Sequence, residues 1–138
     1  MKRRCEEAGL ARTLRALVFS GGVVATVAGL HTVLAGARSL PDQGTANASL
    51  ESELRYYAAF YVAYGLCAAS TALRADRNPA AVRALAATLL GAGLARAGGW
   101  FAVGPPHPLQ RGLLAIELVA PPLIAGISAR SAGRRPGR

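Results

Sequence analysis

Apolar residues form four long segments of the chain, and polar or charged residues separate them. The clearest segment runs from Ala16 to Ala37 and contains His31 as its only ionisable residue. The second runs from Tyr56 to Leu73 without a charge. Because about 20 apolar residues make a helix long enough to cross a bilayer, both segments predict transmembrane helices.

Two further segments have the same apolar character but contain charges. Residues 80–104 include Arg96, and residues 113–129 include Glu117 together with Pro121 and Pro122. We therefore expect an all-α, four-helix transmembrane bundle in residues 16–129, between a basic N-terminus at 1–15 and a basic disordered tail at 130–138. The helices are predicted at about 10–37, 54–73, 80–104 and 111–129.

The basic residues predict the orientation of these helices. The chain is 52% hydrophobic and has a formal net charge of +9. Four spans would place twelve basic residues on one side: Lys2, Arg3, Arg4, Arg12, Arg15, Arg74, Arg77, Arg83, Arg130, Arg134, Arg135 and Arg138. The other side would hold three: Arg38, Arg55 and Arg111. Lys and Arg accumulate at cytoplasmic helix ends, so both termini are predicted to be cytoplasmic.

This charge distribution also indicates the partners and the location. Arginines that flank apolar segments favour anionic lipid headgroups at the cytoplasmic face, whereas nucleic-acid binding requires basic residues on one shared face and is not expected. The preference for Arg over Lys is typical of a bacterium with GC-rich DNA. We therefore expect a multi-pass protein of the bacterial inner (plasma) membrane.

A cleaved secretory signal is an alternative interpretation of the N-terminus. Lys2, Arg3 and Arg4 precede an apolar run that ends in small residues, as in a signal peptide. The run is longer than the ~7 to 15 residues that such signals use, so an uncleaved first span is favoured.

Small residues and cysteines give weaker indications. Neither Cys5 nor Cys67 has the partner spacing of a disulfide or metal site, and Cys67 is expected to be a small apolar packing residue. Glycine and alanine recur at spacings that allow helices in lipid to approach closely. These positions are Gly21, Gly22, Ala25 and Gly29 in the first span, and Gly91, Ala95 and Gly99 in the third.

Arg96 and Glu117 are the strongest candidates for a site, because charges inside apolar spans must pair or face a polar cavity. At ~1.5 Å per residue, Arg96 lies about 12 Å and Glu117 about 6 Å below the outer ends of their helices. Both therefore fall in the outer half of the bundle, where an Arg side chain can bridge the difference in depth.

Other polar residues are predicted to lie in the same layer. The further ionisable candidates are His31, Glu53 and Arg55. Residues 57, 61 and 64 are tyrosines on one face of the second helix, and their hydroxyls could point into the bundle and hydrogen-bond Arg96 or Glu117. Of these, Tyr57 is the candidate for the polar cluster. Three aromatic residues are expected in the core or the interfacial belt: Tyr56, Tyr61 and Trp100.

Two functional hypotheses follow. In the leading one, Arg96 and Glu117 are a structural ion pair in a non-enzymatic membrane protein, either structural or an accessory subunit bound to a membrane-protein partner. The alternative is a small-molecule or lipid binder, or a transporter component, that uses the polar cluster. A lipid-modifying enzyme is a more distant third hypothesis. No catalytic triad, nucleotide loop or metal-spaced ligand group supports it, so no catalytic residue, cofactor or metal is expected.

Several residues in order resemble a known family, the bacterial domain-of-unknown-function family 4345. They are Glu53, Leu54, Arg55 and Tyr57 leading into Gly65, then Arg96, Gly104, Pro105 and Pro108, then Glu117. The resemblance extends from about Leu14 to Ile127. It implies a small four-helix integral membrane protein and no established activity.

Overall fold

The computed structural model describes residues 2–41, 46–75 and 78–132. Within these ranges the chain forms four α-helices and no strand, which confirms the predicted all-α, four-helix fold. The helices are α1 (Lys2–Ala35), α2 (Ala48–Ala72), α3 (Pro79–Val103) and α4 (Pro108–Ala132), and a 3-10 helix (Gly36–Ser39) follows α1. The tail predicted to be disordered at 130–138 is helical at residues 130–132, which continue α4, and lies outside the described residues from position 133 onward.

Local chemistry sets the helix ends. The side chains of Asn47 and Asn78 accept hydrogen bonds from the backbone N–H groups of Leu50 and Ala81, at 2.9 and 3.2 Å, and so cap α2 and α3. Pro79 occupies the first turn of α3, where a missing N–H costs nothing. Gly104 ends α3 with a φ of 111°, a backbone conformation that glycine adopts without strain.

The helices are longer than the predicted spans at some ends. Helix α1 begins at Lys2 rather than near residue 10, because Arg, Glu, Ala and Leu continue a helix outside an apolar segment. Among the described residues, three segments are long and apolar enough to cross a membrane: Ala8–Ser39, Pro79–Val103 and Pro108–Arg130. Helix α2 is not among them, since its four tyrosines lower its hydropathy. Its crossing remains a prediction.

Helices α1 and α2 form a tight hairpin because glycines allow their backbones to touch. A Cβ atom added at Gly22 would lie 2.6 Å from the nitrogen of Ala69 and 2.7 Å from the oxygen of Gly65. One added at Gly29 would lie 2.9 Å from the oxygen of Ala58. Such distances exclude a side chain, so the predicted close approach is confirmed for Gly22 and Gly29.

Helices α3 and α4 form the second hairpin, and Gly93 allows them to approach closely. A Cβ atom added there would lie 2.9 Å from the Cβ of Glu117. The predicted contact positions Gly91 and Gly99 would meet nothing within 4 Å, and the same holds for Gly21 in α1. The spacing of small residues indicated that helices could approach closely, but it could not show which of these residues face the neighbouring helix.

The two hairpins pack on each other mainly at one end. We call this the basic end, since it carries Arg12, Arg74, Arg83 and Arg130; the distal end carries Ser39 and Pro106. A buried cluster at the basic end draws on all four helices: Leu14, Val18, Ala68, Ala72, Ala75, Val82, Ala86 and Ile124. In the distal half, the closest approaches of the backbones, at Gly29 and Gly93, occur within each hairpin instead. The bundle is therefore closed at the basic end and looser between the hairpins toward the distal end.

The outer surface of the bundle is apolar, in agreement with a lipid environment. Large apolar side chains are exposed along all four helices, and Phe101 and Val103 are among the most exposed. Cys67 is also exposed, so its predicted role in internal packing is wrong. It lies on the outer face of α2, where a small apolar residue can contact lipid.

Candidate functional site

The charges within the third and fourth helices form one ion pair. Arg96 Nε donates to Glu117 Oε2 at 2.9 Å, and one terminal nitrogen of Arg96 donates to Oε1 at 3.1 Å. This two-point geometry is the strongest that a guanidinium and a carboxylate can adopt. The Glu117 side chain is 5% exposed and the Arg96 side chain is 30% exposed. The carboxylate is therefore enclosed, while the guanidinium remains partly open.

A tyrosine from the other hairpin completes this group. The Tyr61 hydroxyl donates to Glu117 Oε1 at 2.8 Å, which links α2 to α4. The Tyr64 hydroxyl donates to the backbone oxygen of Leu85 at 3.0 Å and links α2 to α3. Tyr61 is half-buried between the hairpins, and its hydroxyl supplies the third hydrogen bond to a buried carboxylate, so of the three tyrosines it is Tyr61 that bonds Glu117. We call Arg96, Glu117 and Tyr61 the polar triad.

A cavity of about 340 Å³ lies between the two hairpins and reaches the polar triad. All four helices contribute to its wall. Most lining residues are apolar, among them Ala28, Leu89 and Ile116. It extends to the distal end, where Pro41 and Gln110 line it. Toward the basic end it reaches the buried cluster, where Val82 and Ile124 line it.

The remaining candidates are not brought to the triad. Tyr57 lines the cavity toward its distal end and is 63% exposed. His31 and Glu53 are exposed and do not line this cavity. Their predicted membership of the cluster is therefore wrong. Helix rise gives the depth of a residue but not its direction around the helix, and these side chains lie at a suitable depth on the wrong face.

Arg55 belongs to a different group, which caps the end of α1. Its Nε and one terminal nitrogen donate to Glu51 Oε1 at 3.0 and 2.7 Å, and its other terminal nitrogen donates to the Val33 oxygen at 2.7 Å. Glu51 Oε2 in turn accepts from the Ala37 N–H at 2.9 Å. These bonds satisfy backbone groups that the end of a helix leaves open. Glu51 was not predicted, although its i, i+4 spacing to Arg55 was a usable signal.

The capping group predicts a pH dependence of stability. The Ala37 N–H and the Arg55 guanidinium lower the pKa of the Glu51 carboxyl from its ordinary value of 4.5. Because the pKa of this carboxyl is lower in the folded than in the unfolded protein, the ionised Glu51 stabilises the folded state at pH values above the unfolded pKa. This stabilisation is lost as the pH falls through the folded-state pKa. We expect the thermal midpoint of detergent-solubilised protein to fall below about pH 4.5, and Glu51→Gln to reduce this fall. Glu53→Gln, two residues away, should leave the pH profile unchanged. Equal profiles for both variants would contradict the capping role.

A second prediction concerns the tyrosine of the triad. Tyr61→Phe removes one of three donors to Glu117, and we expect a loss of about 1 to 2 kcal/mol in the free energy of unfolding. The exposed Tyr57 is the matched control, and Tyr57→Phe should change it by less than about 0.5 kcal/mol. Denaturant titration in detergent measures both. Equal effects would show that the hydroxyl bond of Tyr61 does not stabilise the hairpin interface.

Metal binding has no structural basis in the described part of the chain. No group of three or more His, Cys, Asp or Glu residues lies there in an arrangement that could hold a metal ion.

Comparison with known proteins gives one match. A family model described as a domain of unknown function (DUF4345) matches residues 13–127. No curated protein and no solved structure matches the chain. The matched region includes the whole polar triad and the cavity-lining faces of the four helices. The chain therefore belongs to the DUF4345 family.

Proposed function

We propose that this protein is a multi-pass membrane protein that binds a small, mainly apolar molecule in the cavity between its two hairpins. The observation that carries the proposal is that the cavity reaches Arg96 and Glu117. A pair that served only as a strut between α3 and α4 would not need to border a cavity. Here the carboxylate is enclosed, but the guanidinium is 30% exposed and forms part of the cavity wall.

The size and lining of the cavity support this function. Ligand pockets begin at about 300 Å³ and are mostly apolar with a few placed polar groups. An apolar cavity of about 150 Å³ already binds benzene. The volume of about 340 Å³ thus suits a small ligand, and the triad supplies the polar groups.

The membrane setting and orientation are part of the proposal. Aromatic residues gather near the distal end, where Tyr56 packs edge-to-face on Tyr57 and Phe60, and Trp100 and Phe101 lie at the same end. Such belts occur at membrane interfaces. We place the basic end at the cytoplasmic face of a bacterial inner membrane, against anionic lipid headgroups, with α2 as the fourth span and both termini inside.

Cysteine labelling tests this orientation. In a variant that lacks Cys5 and Cys67, Pro106→Cys should react with an impermeant maleimide added to intact cells. Leu73→Cys, at the basic end, should react only after the membrane is permeabilised. The reverse pattern would overturn the orientation, and reaction of both from outside would show that α3, which lies between the two positions, does not cross the membrane.

The binding function is tested by what purifies with the protein. We expect extraction of protein purified in mild detergent to release a molecule that mass spectrometry detects at near-stoichiometric amounts. Gly21→Phe and Ala28→Phe each add a bulky ring to the α1 wall of the cavity and should reduce its recovery at least about tenfold.

Gly91→Phe is the matched control, because Gly91 is also an open helical glycine but does not line the cavity. It should retain the bound molecule. Absence of any bound molecule in the wild type, or equal recovery from all three variants, would overturn the proposed function.

A further inference from the structure

We infer that the ligand is a neutral, mainly apolar molecule with a carbonyl oxygen, and that Arg96 binds this oxygen. This inference deepens the proposed function and rests on it. It follows from the charge balance of the triad, from its unused hydrogen-bonding groups and from the remaining polar groups of the cavity wall.

Charge balance favours a neutral ligand. Arg96 and Glu117 carry opposite charges and are paired within 3.1 Å, so the described wall of the cavity has no net charge. An isolated charge in an apolar surrounding is strongly unfavourable. An anionic or cationic headgroup would have to enter without a counter-ion or break the pair. A neutral polar group needs neither.

The hydrogen-bonding groups of the triad favour an acceptor on the ligand. Glu117 already accepts three bonds, one from Tyr61 and two from Arg96. The two bonds of Arg96 use Nε and one terminal nitrogen, which leaves the other terminal nitrogen outside the pair. A guanidinium has five N–H donors and no acceptor. The triad can thus offer a charged donor to the cavity, and a carbonyl oxygen accepts such a bond without bringing a proton of its own.

Tyr57 and Gln110 line the cavity only toward its distal end, and the other polar side chains of the wall outside the triad are already engaged. Thr32 and Ser39 are hydrogen-bonded to each other at 3.0 Å, and the Tyr64 hydroxyl donates to the Leu85 oxygen. From the triad to the basic end, the wall is otherwise apolar, as at Val82 and Ile124. One polar atom with an apolar body therefore matches this part of the cavity better than a ligand with several polar groups.

The test compares ten-carbon probes that differ only in the polar group. Wild-type protein in dodecyl maltoside, a detergent without a carbonyl group, is heated with 2-decanone, decane, decanoate or decylammonium. A ligand that binds the folded state raises the thermal midpoint according to its affinity. We expect 2-decanone to bind about tenfold or more tightly than decane, since a hydrogen bond to a charged group accounts for such a factor. The charged probes should bind more weakly than the ketone.

The double variant Arg96→Leu with Glu117→Leu isolates the contribution of the triad. In this variant 2-decanone should no longer bind more tightly than decane. Because both proteins are measured in the same detergent, a difference in how the two probes partition into detergent micelles affects both equally. The carbonyl stretch of bound 2-decanone should lie at lower frequency in the wild type than in the variant.

Stronger stabilisation by decanoate or decylammonium, or equal stabilisation by decane and 2-decanone, would overturn the ligand class. The proposed function would survive that result if a bound molecule is still lost from Gly21→Phe and kept by Gly91→Phe. The two proposals therefore fail separately.

Discussion

Arg96→Leu is expected to destabilise the protein by about 3 to 5 kcal/mol, the cost typical of removing one partner from a buried ion pair. It strands the Glu117 carboxylate, which is 5% exposed and would keep only the Tyr61 hydroxyl as a donor. Glu117→Leu should cost less, because the Arg96 side chain is 30% exposed and can extend its charged end toward the cavity. Denaturant titration of the purified variants in detergent measures both changes.

The double variant Arg96→Leu with Glu117→Leu should recover most of the lost stability. Replacing both charges by apolar residues of similar size is often neutral, since the cost of taking two charges out of water disappears with them. Arg83→Leu, at an exposed arginine on the same helix, serves as the control and should change stability by less than about 0.5 kcal/mol. A double variant as unstable as Arg96→Leu would show that the pair is not the interaction that matters at this position.

Gly22→Ala is expected to separate α1 from α2 and to destabilise the protein by about 2 kcal/mol or more, as overpacked contacts do. The new methyl group would lie 2.6 and 2.7 Å from backbone atoms of Ala69 and Gly65, which cannot move aside as a flexible side chain can. The free energy of unfolding in detergent reports the loss, and a loss of helix pairing can be followed by circular dichroism.

The neighbouring glycine provides a matched control. Gly21→Ala meets no atom within 4 Å, so only the higher helix propensity of alanine acts, and stability should rise by about 0.5 to 1 kcal/mol. Substitutions one residue apart are thus expected to have opposite signs. Destabilisation by both would indicate a different rotation of α1 against α2.

The sequence was sufficient to predict the four helices, because backbone polar groups and charges are costly to bury. Long apolar segments therefore have to be helical, and polar residues mark where they end. The sequence was also sufficient for the Arg96 and Glu117 pair, because two opposite charges at similar depth have few other partners in an apolar bundle. Depth was a good guide to this pair since both residues also face inward. For His31 and Glu53 the same depth was misleading, because they lie on outward faces.

The sequence could not predict which side chains face the interior of the bundle, since apolar residues are spread around the whole circumference of these helices. A soluble helix shows its buried face by an apolar stripe, whereas a helix in lipid is apolar all round. Tyr61 was therefore assigned to the core or belt, and Gly21 was grouped with Gly22. Glu51 was not identified for another reason. It lies outside the apolar spans, and its bond to the Ala37 N–H forms at the end of the hairpin.

The most direct test of the central claim measures the bound molecule in the double variant Arg96→Leu with Glu117→Leu. If the polar triad is part of a ligand site and not only a strut, the double variant should be folded, with a thermal midpoint near that of the wild type. Recovery of the co-purified molecule from it should be reduced at least about tenfold. A folded double variant that retains the molecule in wild-type amount would show that the triad is not part of the ligand site.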